Sequence, residues 1–584
     1  MKDQKARALL ACAPPEPHRG RQVRSAIQGT SIVSSSLLRP QSWCWLFILA
    51  CAVLMPTFAI AGSTTSPTAP TAGTLTPEQA DRQWQQASKP YAAARAALLA
   101  KVNAGVARGP FRADWAALRG HRDPAWFDDA KFGIFIHWGV YAVPAYANEW
   151  YPRNMYADGT PEHAHQVATY GPLSRHGYKD FIAQFRAEHW HPQAWAALFK
   201  QAGARYVVGV AEHSDGFAMY DSKLSRWTAV QMGPHRDLMA DLGQAVRAAG
   251  LRFGLSSHRA EHDWFFDRGR ELDADVNDPA YADFYGPAVP HLALDGDLDL
   301  AQDWTYVSQA WVDDWLARSA ELEAYYHPDL IYLDWWVGHP AFRNALAKLL
   351  AYYYNAGATR GGVVLTYKLN ALPAGAGTLD VERGQLAGIR AEHWQTDTTI
   401  SRGSWGYVAN DSYRSADEIL PVLADVVSKN GNLLLDIGPR PDGSIPMQEQ
   451  TVLRQIGAWL RVNGAAIYGS RPWRVYGEGP TTQASGAFQE KTAKPYTAQD
   501  FRFTQKPGTL YAMELGWPAA GTVTIDSIRP ADGVRAVQLL GSSAPVAWQS
   551  TPHGLVLHPG ARPAGLNVYV YAIELTKVAP HAAH

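Results

Sequence analysis

The stretch Asp329–Trp336, with the sequence DLIYLDWW, contains a short apolar run that ends at the carboxylate of Asp334. An apolar run of this length is typical of a strand that is buried on both faces, as in parallel sheets. Burying a carboxylate is costly unless it has partners or a function. In a (β/α) barrel the active site forms at the carboxyl ends of the strands, so Asp334 is a candidate functional residue. The alternative to a functional role is a structural one, in which Asp334 caps the next element or forms an ion pair with an arginine.

Similar apolar runs alternate with helical patterns from about residue 130 to residue 470. One helical pattern places Trp195, Leu198, Phe199 and Ala202 on a single face. This alternation predicts an α/β fold with a (β/α)8-like, TIM-type barrel. Seven strands can be predicted and an eighth is not found: Phe132–Trp138, Tyr206–Ala211, Leu251–Ser256, Leu330–Leu333, Val363–Tyr367, Ile389–Trp394 and Leu433–Ile437.

The helical pattern disappears after about Ser470. Short strands separated by Gly and Pro turns predict a C-terminal all-β sandwich over residues 471–584. The predicted strands are Arg502–Phe503, Leu510–Glu514, Val523–Ile525, Ala536–Leu540, Gly554–Leu557 and Leu566–Leu575. The catalytic barrel, with an N-terminal helix that starts at Thr76 and runs to about Asn103, is expected to occupy residues 76–470.

The N-terminal segment predicts export. An apolar core at residues 43–55 is followed by the small-residue sequence Ala59-Ile60-Ala61, which favours a signal peptide over residues 1–61. A single membrane anchor and a lipoprotein attachment at Cys51 are the alternatives. Residues 62–75 are rich in Ser, Thr, Pro and Gly and predict a flexible linker. We therefore expect a periplasmic or secreted protein that is not stably inserted in a membrane.

Composition narrows the function classes. The 584-residue chain carries a formal net charge of −1, which gives no electrostatic reason to expect nucleic acid as a partner. Its 22 tryptophans and 27 tyrosines suit sugar binding, because aromatic faces pack against the C–H face of a pyranose. All three cysteines precede the expected cleavage site, so the mature protein would have no cysteine nucleophile and no thiolate metal site.

Polar residues follow four successive predicted strands. His137 follows the first, His213 the second, His258 and Glu261 the third, and Asp334 the fourth. Because parallel strands of a barrel end on the same side, these groups are expected to line one polar pocket.

Two kinds of hydrolysis fit such a pocket. Metal-assisted hydrolysis would need a set of metal ligands, but the pairs His163/His165 and His189/His191 lie in polar stretches with no third ligand nearby. We interpret these pairs as solvated and predict no metal and no cofactor. Glycoside hydrolysis needs a second carboxyl group near Asp334.

Five blocks of the sequence resemble the α-L-fucosidases of glycoside hydrolase family 29. They are AKFGIFIHWGVY at 130–141, EWY at 149–151, HSDGF at 213–217, SWGY at 404–407 and NGNLLLDIGP at 430–439. The resemblance covers roughly residues 115–470. It implies a (β/α) barrel followed by a β-sandwich, and exo-acting, retaining hydrolysis of terminal α-L-fucose without a metal. The expected partner is therefore a fucosylated oligosaccharide or glycoconjugate, whereas the oligomeric state is not predicted.

The resemblance also implies roles for individual residues. Asp334 matches the nucleophile at the end of the fourth barrel strand. His137, His213 and the pair Glu149-Trp150 match groups that hold the sugar. Trp394 matches the tryptophan of a Trp-Glu pair in the family and is expected to contact substrate.

The acid/base is predicted less directly. Members of the family commonly have a Trp-Glu pair shortly before the SWGY block, but this chain has Gln395 in place of the glutamate. Glutamine cannot transfer the proton, so the candidates are Glu382 and Glu392. Glu382 is preferred because it lies in a loop-like segment, whereas Glu392 lies inside the predicted strand Ile389–Trp394.

Two departures from the family pattern affect the pocket. Ser214 stands where most members have a second histidine, and Ser256-Ser257-His258 stands where a tyrosine is usual. His258 and Glu261 are expected to rebuild the lost contacts. An altered sugar preference, such as for α-L-galactosides, and a fucose-binding protein that has lost catalysis are the alternative functions.

Overall fold

The computed structural model describes residues 75–293 and 299–576. The predicted signal peptide lies outside the described residues, as does the predicted linker except for Leu75. Among the described helices, none combines the length and the apolar composition that a membrane crossing requires.

Eight parallel strands form a closed barrel, and each strand pairs with its neighbours in chain order. This confirms the predicted TIM-type fold. The strands are β1 Phe132–Ile136, β2 Tyr206–Glu212, β3 Arg252–Ser257, β4 Leu330–Leu333, β5 Val364–Lys368, β6 Thr378–Asp380, β7 Trp394–Thr399 and β8 Gly431–Ile437.

The strand that could not be predicted is β6, which has only three residues. The predicted strand Ile389–Trp394 is wrong, because β7 starts at Trp394 and continues to Thr399. The residues that precede Trp394 form bends outside the barrel wall. Glu382 therefore lies in the connection between β6 and β7.

The α-helices pack around the barrel or precede it. They are α1 Pro77–Ala87, α2 Ala92–Arg108, α3 Trp115–Leu118, α4 Ala125–Ala130, α5 Tyr151–Asn154, α6 Pro161–Tyr170, α7 Pro192–Gln201, α8 Leu238–Ala248, α9 Ala282–Tyr285, α10 Gln309–Glu321, α11 Arg343–Ala358, α12 Ala416–Ser428 and α13 Met447–Asn463. The predicted N-terminal helix begins with the expected capping box at Thr76, but a 3-10 turn at Lys89–Tyr91 divides it into α1 and α2.

The lower part of the barrel is closely packed, mainly with apolar side chains. Side chains that point inward from alternate positions of the strands, among them Phe135, Val208, Leu330 and Tyr332, form one buried cluster. The outward-facing side chains pack against the surrounding helices in a larger cluster. Because the interior is filled from below, only the carboxyl ends of the strands leave room for a binding site.

The C-terminal part consists of two antiparallel sheets with their own apolar core. The strands are β9 Arg471–Glu478, β10 Phe501–Lys506, β11 Thr509–Glu514, β12 Val523–Ile525, β13 Val534–Leu539, β14 Ala547–Thr551, β15 Gly554–His558 and β16 Tyr569–Leu575. One sheet has the strand order β13-β16-β11-β10-β9 and the other β12-β15-β14. Six of these strands were predicted from the sequence, and β9 and β14 were not.

The sheets contact the barrel through buried polar bonds. The Arg502 side chain of β10 donates to Asp425 of α12 at 2.6 Å. The indole N–H of Trp459 in α13 donates to the carbonyl of Val568 at 2.7 Å.

Candidate active site

Polar side chains from the ends of six strands meet at the carboxyl-terminal mouth of the barrel. Several of the predicted site residues come together here, together with a lysine that the sequence analysis did not single out. In strand order they are His137, His213, His258, Asp334, Lys368 and Glu382.

Asp334 follows β4, and its side chain is 14% exposed. One carboxylate oxygen lies 2.9 Å from Nδ1 of His258, and the other lies 3.3 Å from Nζ of Lys368. Burial by itself raises the pKa of Asp334, but the charge of Lys368 and the contact with His258 outweigh it and hold this pKa well below its usual value. Asp334 is therefore an ionised carboxylate with one face open to the mouth, as a nucleophile requires.

Lys368, the last residue of β5, joins Asp334 to Glu382. Its Nζ lies 2.7 Å from Oε2 of Glu382 and 3.3 Å from Oδ1 of Asp334. These two distances from one nitrogen limit the separation of the two carboxylate oxygens to about 6 Å. Retaining glycosidases hold their two carboxyl groups about 5–5.5 Å apart. The pair therefore has a spacing that fits retention.

A third carboxylate completes the surroundings of Lys368. Oδ2 of Asp397 in β7 lies 3.3 Å from Nζ and accepts a hydrogen bond from the Tyr332 hydroxyl at 2.7 Å. Burial lowers the pKa of Lys368, but its three carboxylate neighbours raise it well above the usual value. Lys368 is thus a permanent cation in the floor of the site.

Glu392, the other acid/base candidate, lies at the opposite end of the barrel. It precedes the first residue of β7, its side chain is 58% exposed, and its carboxylate contacts Arg390 at 3.4 Å. Since β7 runs toward the mouth, Glu392 is separated from Asp334 by the length of the strand. Glu382 is the carboxyl group that the fold brings to Asp334.

Trp394 is also placed away from the mouth. It is the first residue of β7, its ring is fully buried, and its indole N–H donates to the Lys429 carbonyl at 2.9 Å. The expectation that Trp394 contacts substrate therefore does not fit, because the strand start is at the amino-terminal side of the barrel. Gln395 points into the barrel, where it bonds to Tyr206 at 2.8 Å and to Asp380 at 2.7 Å.

Three histidines line one side of the mouth. The rings of His213 and His258 are stacked with their centroids 4.8 Å apart, and the His137 ring lies 5.8 Å and 5.5 Å from them. Burial lowers the pKa of His213 to about 3 and holds the pKa of His137 well below its usual value. Both rings are therefore neutral at ordinary pH, so each can donate one hydrogen bond and accept another.

Each ring has a different set of partners. Nδ1 of His137 lies 2.7 Å from Asp436. Nδ1 of His213 is buried and has no hydrogen-bond partner among residues 75–293 and 299–576. Because Asp334 can only accept, Nδ1–H of His258 donates to it, and Nε2 then accepts from the Ser256 hydroxyl at 2.6 Å.

The three histidines also satisfy a geometric condition for metal binding, since one nitrogen of each lies within 4.8 Å of the others. An ion there would have to displace Ser256 or Asp334 from His258. The pairs His163/His165 and His189/His191, considered above as possible metal ligands, are not part of this cluster. His163 contacts the Met155 carbonyl at 2.9 Å, and the exposed His189 contacts Asp442 at 3.2 Å.

Ser214 and Glu261 form a second buried contact beside Asp334. The Ser214 hydroxyl donates to Glu261 at 2.9 Å, and a hydrogen bond with the Glu261 side chain is among the causes that lower the pKa of Asp334. The structure therefore brings Glu261 into the site, as expected.

Glu149 and Trp150 lie on the loop after β1. The buried Glu149 carboxylate accepts hydrogen bonds from the Ser404 hydroxyl at 3.0 Å and from the Trp405 backbone at 2.9 Å. This contact places the Trp405 ring 5.1 Å from that of His137. Trp150 is half-buried, with its ring 6.2 Å from that of Trp264.

Lys368 was not among the residues predicted from the sequence, and no individual role was predicted for Trp405. A signal for Lys368 was present, because it directly follows the predicted strand Val363–Tyr367. The criterion that identified His137 and Asp334 applies to it equally. Trp405 follows no predicted strand, and its contacts with His137 and Lys368 place it at the mouth.

Comparisons with known proteins agree on one family. The family models for "Alpha-L-fucosidase" and "Alpha-L-fucosidase C-terminal domain" match residues 98–465 and 494–575. The tissue α-L-fucosidase of Rattus norvegicus is 31% identical over 488 residues, which cover 81% of this chain and 94% of the rat protein. The tissue α-L-fucosidase of Homo sapiens is 32% identical over 480 residues, 80% of this chain and 91% of the human protein.

Among solved structures, the Thermotoga maritima α-fucosidase in complex with fucose is 29% identical, with a TM-score of 0.61. The match covers 79% of this chain and 100% of that protein. The chain belongs to the α-L-fucosidase family of glycoside hydrolases.

Proposed function

We propose that this protein is an exo-acting, retaining α-L-fucosidase in which Asp334 is the nucleophile and Glu382 the acid/base. The observation that carries the proposal is that both carboxylates lie within 3.3 Å of the Lys368 ammonium at the barrel mouth. Family membership supports the substrate class, and the spacing of the carboxylates supports retention.

The reaction takes two steps. Asp334 attacks the anomeric carbon as the glycosidic C–O bond breaks, and Glu382 gives its proton to the departing oxygen. An ester between Asp334 and the sugar results. Water then attacks the same carbon, Glu382 takes a proton from that water, and the ester bond to Asp334 breaks. Two inversions give net retention of configuration.

The histidines supply a neutral hydrogen-bonding surface for the sugar hydroxyls. His213 has a buried ring nitrogen that is free to bond, and His137 directs Nε2 away from its contact with Asp436. A buried donor or acceptor without a partner costs about 1–3 kcal/mol, so a sugar hydroxyl that bonds to Nδ1 of His213 would recover that free energy on binding. We propose that both rings bind the terminal sugar, next to Trp405.

The two departures from the family pattern support an active enzyme over a binding protein that has lost catalysis. Ser256 orients His258 toward Asp334, and Ser214 is bonded to Glu261, which also contacts Asp334. Ser256 and Ser214, the two serines that depart from the family pattern, therefore each contact a residue that itself contacts Asp334. A binding protein would have no need to maintain them around an ionised carboxylate.

The test is hydrolysis of an activated aryl α-L-fucoside by the purified protein and its variants. Asp334→Gly should lose essentially all turnover, and azide should restore it with inversion, because azide then takes the place of the nucleophile. Glu382→Ala should be restored by azide with retention, because azide attacks the ester on Asp334. Glu392→Ala serves as the matched control and should behave as wild type.

Two results would contradict the proposal. One is an inverted fucose product from the wild-type protein, observed as the first-formed anomer by NMR. The other is rescue of Glu382→Ala with inverted configuration, which would exclude an acid/base role for Glu382.

We also propose that the protein acts outside the cytoplasm. The apolar core at residues 43–55 and the small-residue site at Ala59–Ala61 support export. N-terminal sequencing of the protein recovered from the periplasm or medium tests this, with a mature start near Gly62 as the expected result and an intact Met1 as the contrary one.

A further inference from the structure

The connection between β9 and β10 leaves the sandwich and reaches the active site. We call residues 485–490 of this connection, Ser485–Glu490, the wall segment. It lies between the ranges that the two family models match, 98–465 and 494–575. Its position at the mouth is therefore inferred from the contacts of this chain alone.

The wall segment pairs with the loop that carries Glu382. The backbone N–H of Phe488 donates to the carbonyl of Glu382 at 2.7 Å, and that of Gly486 donates to the carbonyl of Gln385 at 2.7 Å. The backbones approach so closely that a β-carbon on Gly384 would lie 2.0 Å from the Gly486 carbonyl oxygen. The segment is thus positioned directly against the acid/base loop.

Charged contacts anchor the end of the wall segment. The Glu490 carboxylate lies 3.0 Å from Nη1 of Arg414 and 3.8 Å from Nη1 of Arg383. All three side chains are at most one-fifth exposed. Salt screens the attraction between partly buried charges less than it screens that between surface charges. These ion pairs therefore help to hold the end of the wall segment in place.

Phe488 is the side chain that the wall segment presents to the site. Together with its neighbour Ala487, and with Glu382, Lys368 and Trp335, it lines a small cavity beside the proposed acid/base, and it is the only aromatic side chain that the segment contributes there. Its φ of 60° lies in the left-handed region, which is a strained conformation for a bulky residue. Such strain is maintained only where the surroundings fix it, and it is concentrated at functional sites.

The chemistry determines what must lie next to Phe488. The acid has to come within hydrogen-bond distance of the glycosidic oxygen, which belongs to the leaving group. The first residue of the leaving group must therefore contact the surface beside Glu382. An aromatic ring is suited to the C–H face of a pyranose.

From these observations we propose that Phe488 forms the binding platform for the leaving-group sugar, so that the C-terminal part of the chain determines which glycans are cleaved. This inference rests on the proposed function. The occupant is the pyranose residue to which the terminal fucose is attached.

The experiment compares two substrates that share the fucosyl group. α-L-fucosyl fluoride has a leaving group of one atom, which cannot contact Phe488. A fucosyl-N-acetylglucosamine disaccharide, with the linkage that the wild-type protein cleaves best, carries a full pyranose. Phe488→Ala should lower kcat/KM at least tenfold for the disaccharide, mainly through KM, and change it less than twofold for the fluoride.

Two further variants serve as controls. Phe488→Tyr keeps the ring and should retain most of the activity on the disaccharide. Gln489→Ala alters the next residue, which lines a different cavity, and should leave the hydrolysis of both substrates unchanged.

Three outcomes would overturn the inference. An equal loss on both substrates would mean that Phe488 only maintains the site, and an unchanged disaccharide would mean that the ring contacts no leaving group. A displaced basic limb of the pH profile for the disaccharide would show that Phe488 acts by positioning Glu382. Failure of the wild-type protein to hydrolyse the fluoride would instead reject the proposed function itself, and the inference with it.

Discussion

Replacing Lys368 with methionine should move the pH dependence of the reaction toward higher pH. The methionine side chain has a similar length but no charge, so it removes the cation that Asp334, Glu382 and Asp397 share. In the proposed mechanism only the ionised form of Asp334 reacts, so activity is lost as the pH falls through the pKa of Asp334. Anything that raises this pKa therefore moves the acid limb of kcat/KM upward.

The structure gives the size of this effect. Unit charges separated by the 3.3 Å between Nζ of Lys368 and Oδ1 of Asp334 interact by about 5 kcal/mol at an effective dielectric constant of about 20. One pH unit corresponds to about 1.4 kcal/mol, which sets an upper bound of between 3 and 4 pH units. His258 still contacts Asp334, and water entering the vacated space adds solvation. We therefore expect a displacement of about 1–3 pH units.

The assay is kcat/KM for an aryl α-L-fucoside between pH 3 and pH 9. Lys368→Arg keeps the charge and should leave the acid limb near that of the wild type. Lys429→Met removes another buried lysine, which pairs with Asp425 at the other end of the barrel, and serves as the matched control. An acid limb that stays in place in an active Lys368→Met variant would refute the electrostatic role of this lysine.

Other changes test the remaining assignments. Glu392→Gln should leave kcat/KM unchanged in the same assay, whereas a large loss would reopen its role as acid/base. Ser214→Ala leaves the buried Glu261 with one donor fewer and should lower the free energy of unfolding by about 1–3 kcal/mol in urea titrations; no change would show that water replaces the hydroxyl. Gln395→Glu places an acid beside Asp380, whose pKa burial already raises well above its usual value. Because a buried acid with a raised pKa costs stability as the pH rises, this variant should lose thermal stability progressively from about pH 4.5 to pH 8, and a constant difference from wild type would contradict the argument.

Much of the site could be predicted because the carboxyl ends of all strands of a parallel barrel lie on the same side of it. Apolar runs identified β1 to β5 and β8, and the polar residues that follow β1 to β4 are those that meet at the mouth. The preference for Glu382 as the acid/base depended on excluding Glu392, and the reason for excluding Glu392 was wrong in detail. Glu392 precedes a strand and lies at its far end, whereas the prediction placed it within one.

The strands that could not be predicted are those whose inward side chains are polar. In β7, with the sequence WQTDTT, the inward positions Gln395 and Asp397 are hydrophilic, and no hydrophobic pattern marks this strand. β6 has three residues and contributes the inward-facing Asp380. Side-chain pairing across the barrel stabilises these strands, and a single sequence does not show which polar groups will become partners.

The same polar residues connect the barrel interior, through Lys368, to Asp334 and Glu382. Tyr206 bonds to Gln395, which donates to Asp380, while Tyr332 donates to Asp397, which in turn contacts Lys368. An apolar β7 would have been easy to predict, but it would have left Lys368 without Asp397 and with a greater cost of burial. The polar inward side chains that made β7 unpredictable from hydrophobicity therefore include Asp397, which helps to keep the charged Lys368 between Asp334 and Glu382. In this barrel, the strand that a hydrophobic pattern fails to identify is therefore one that supports the candidate active site.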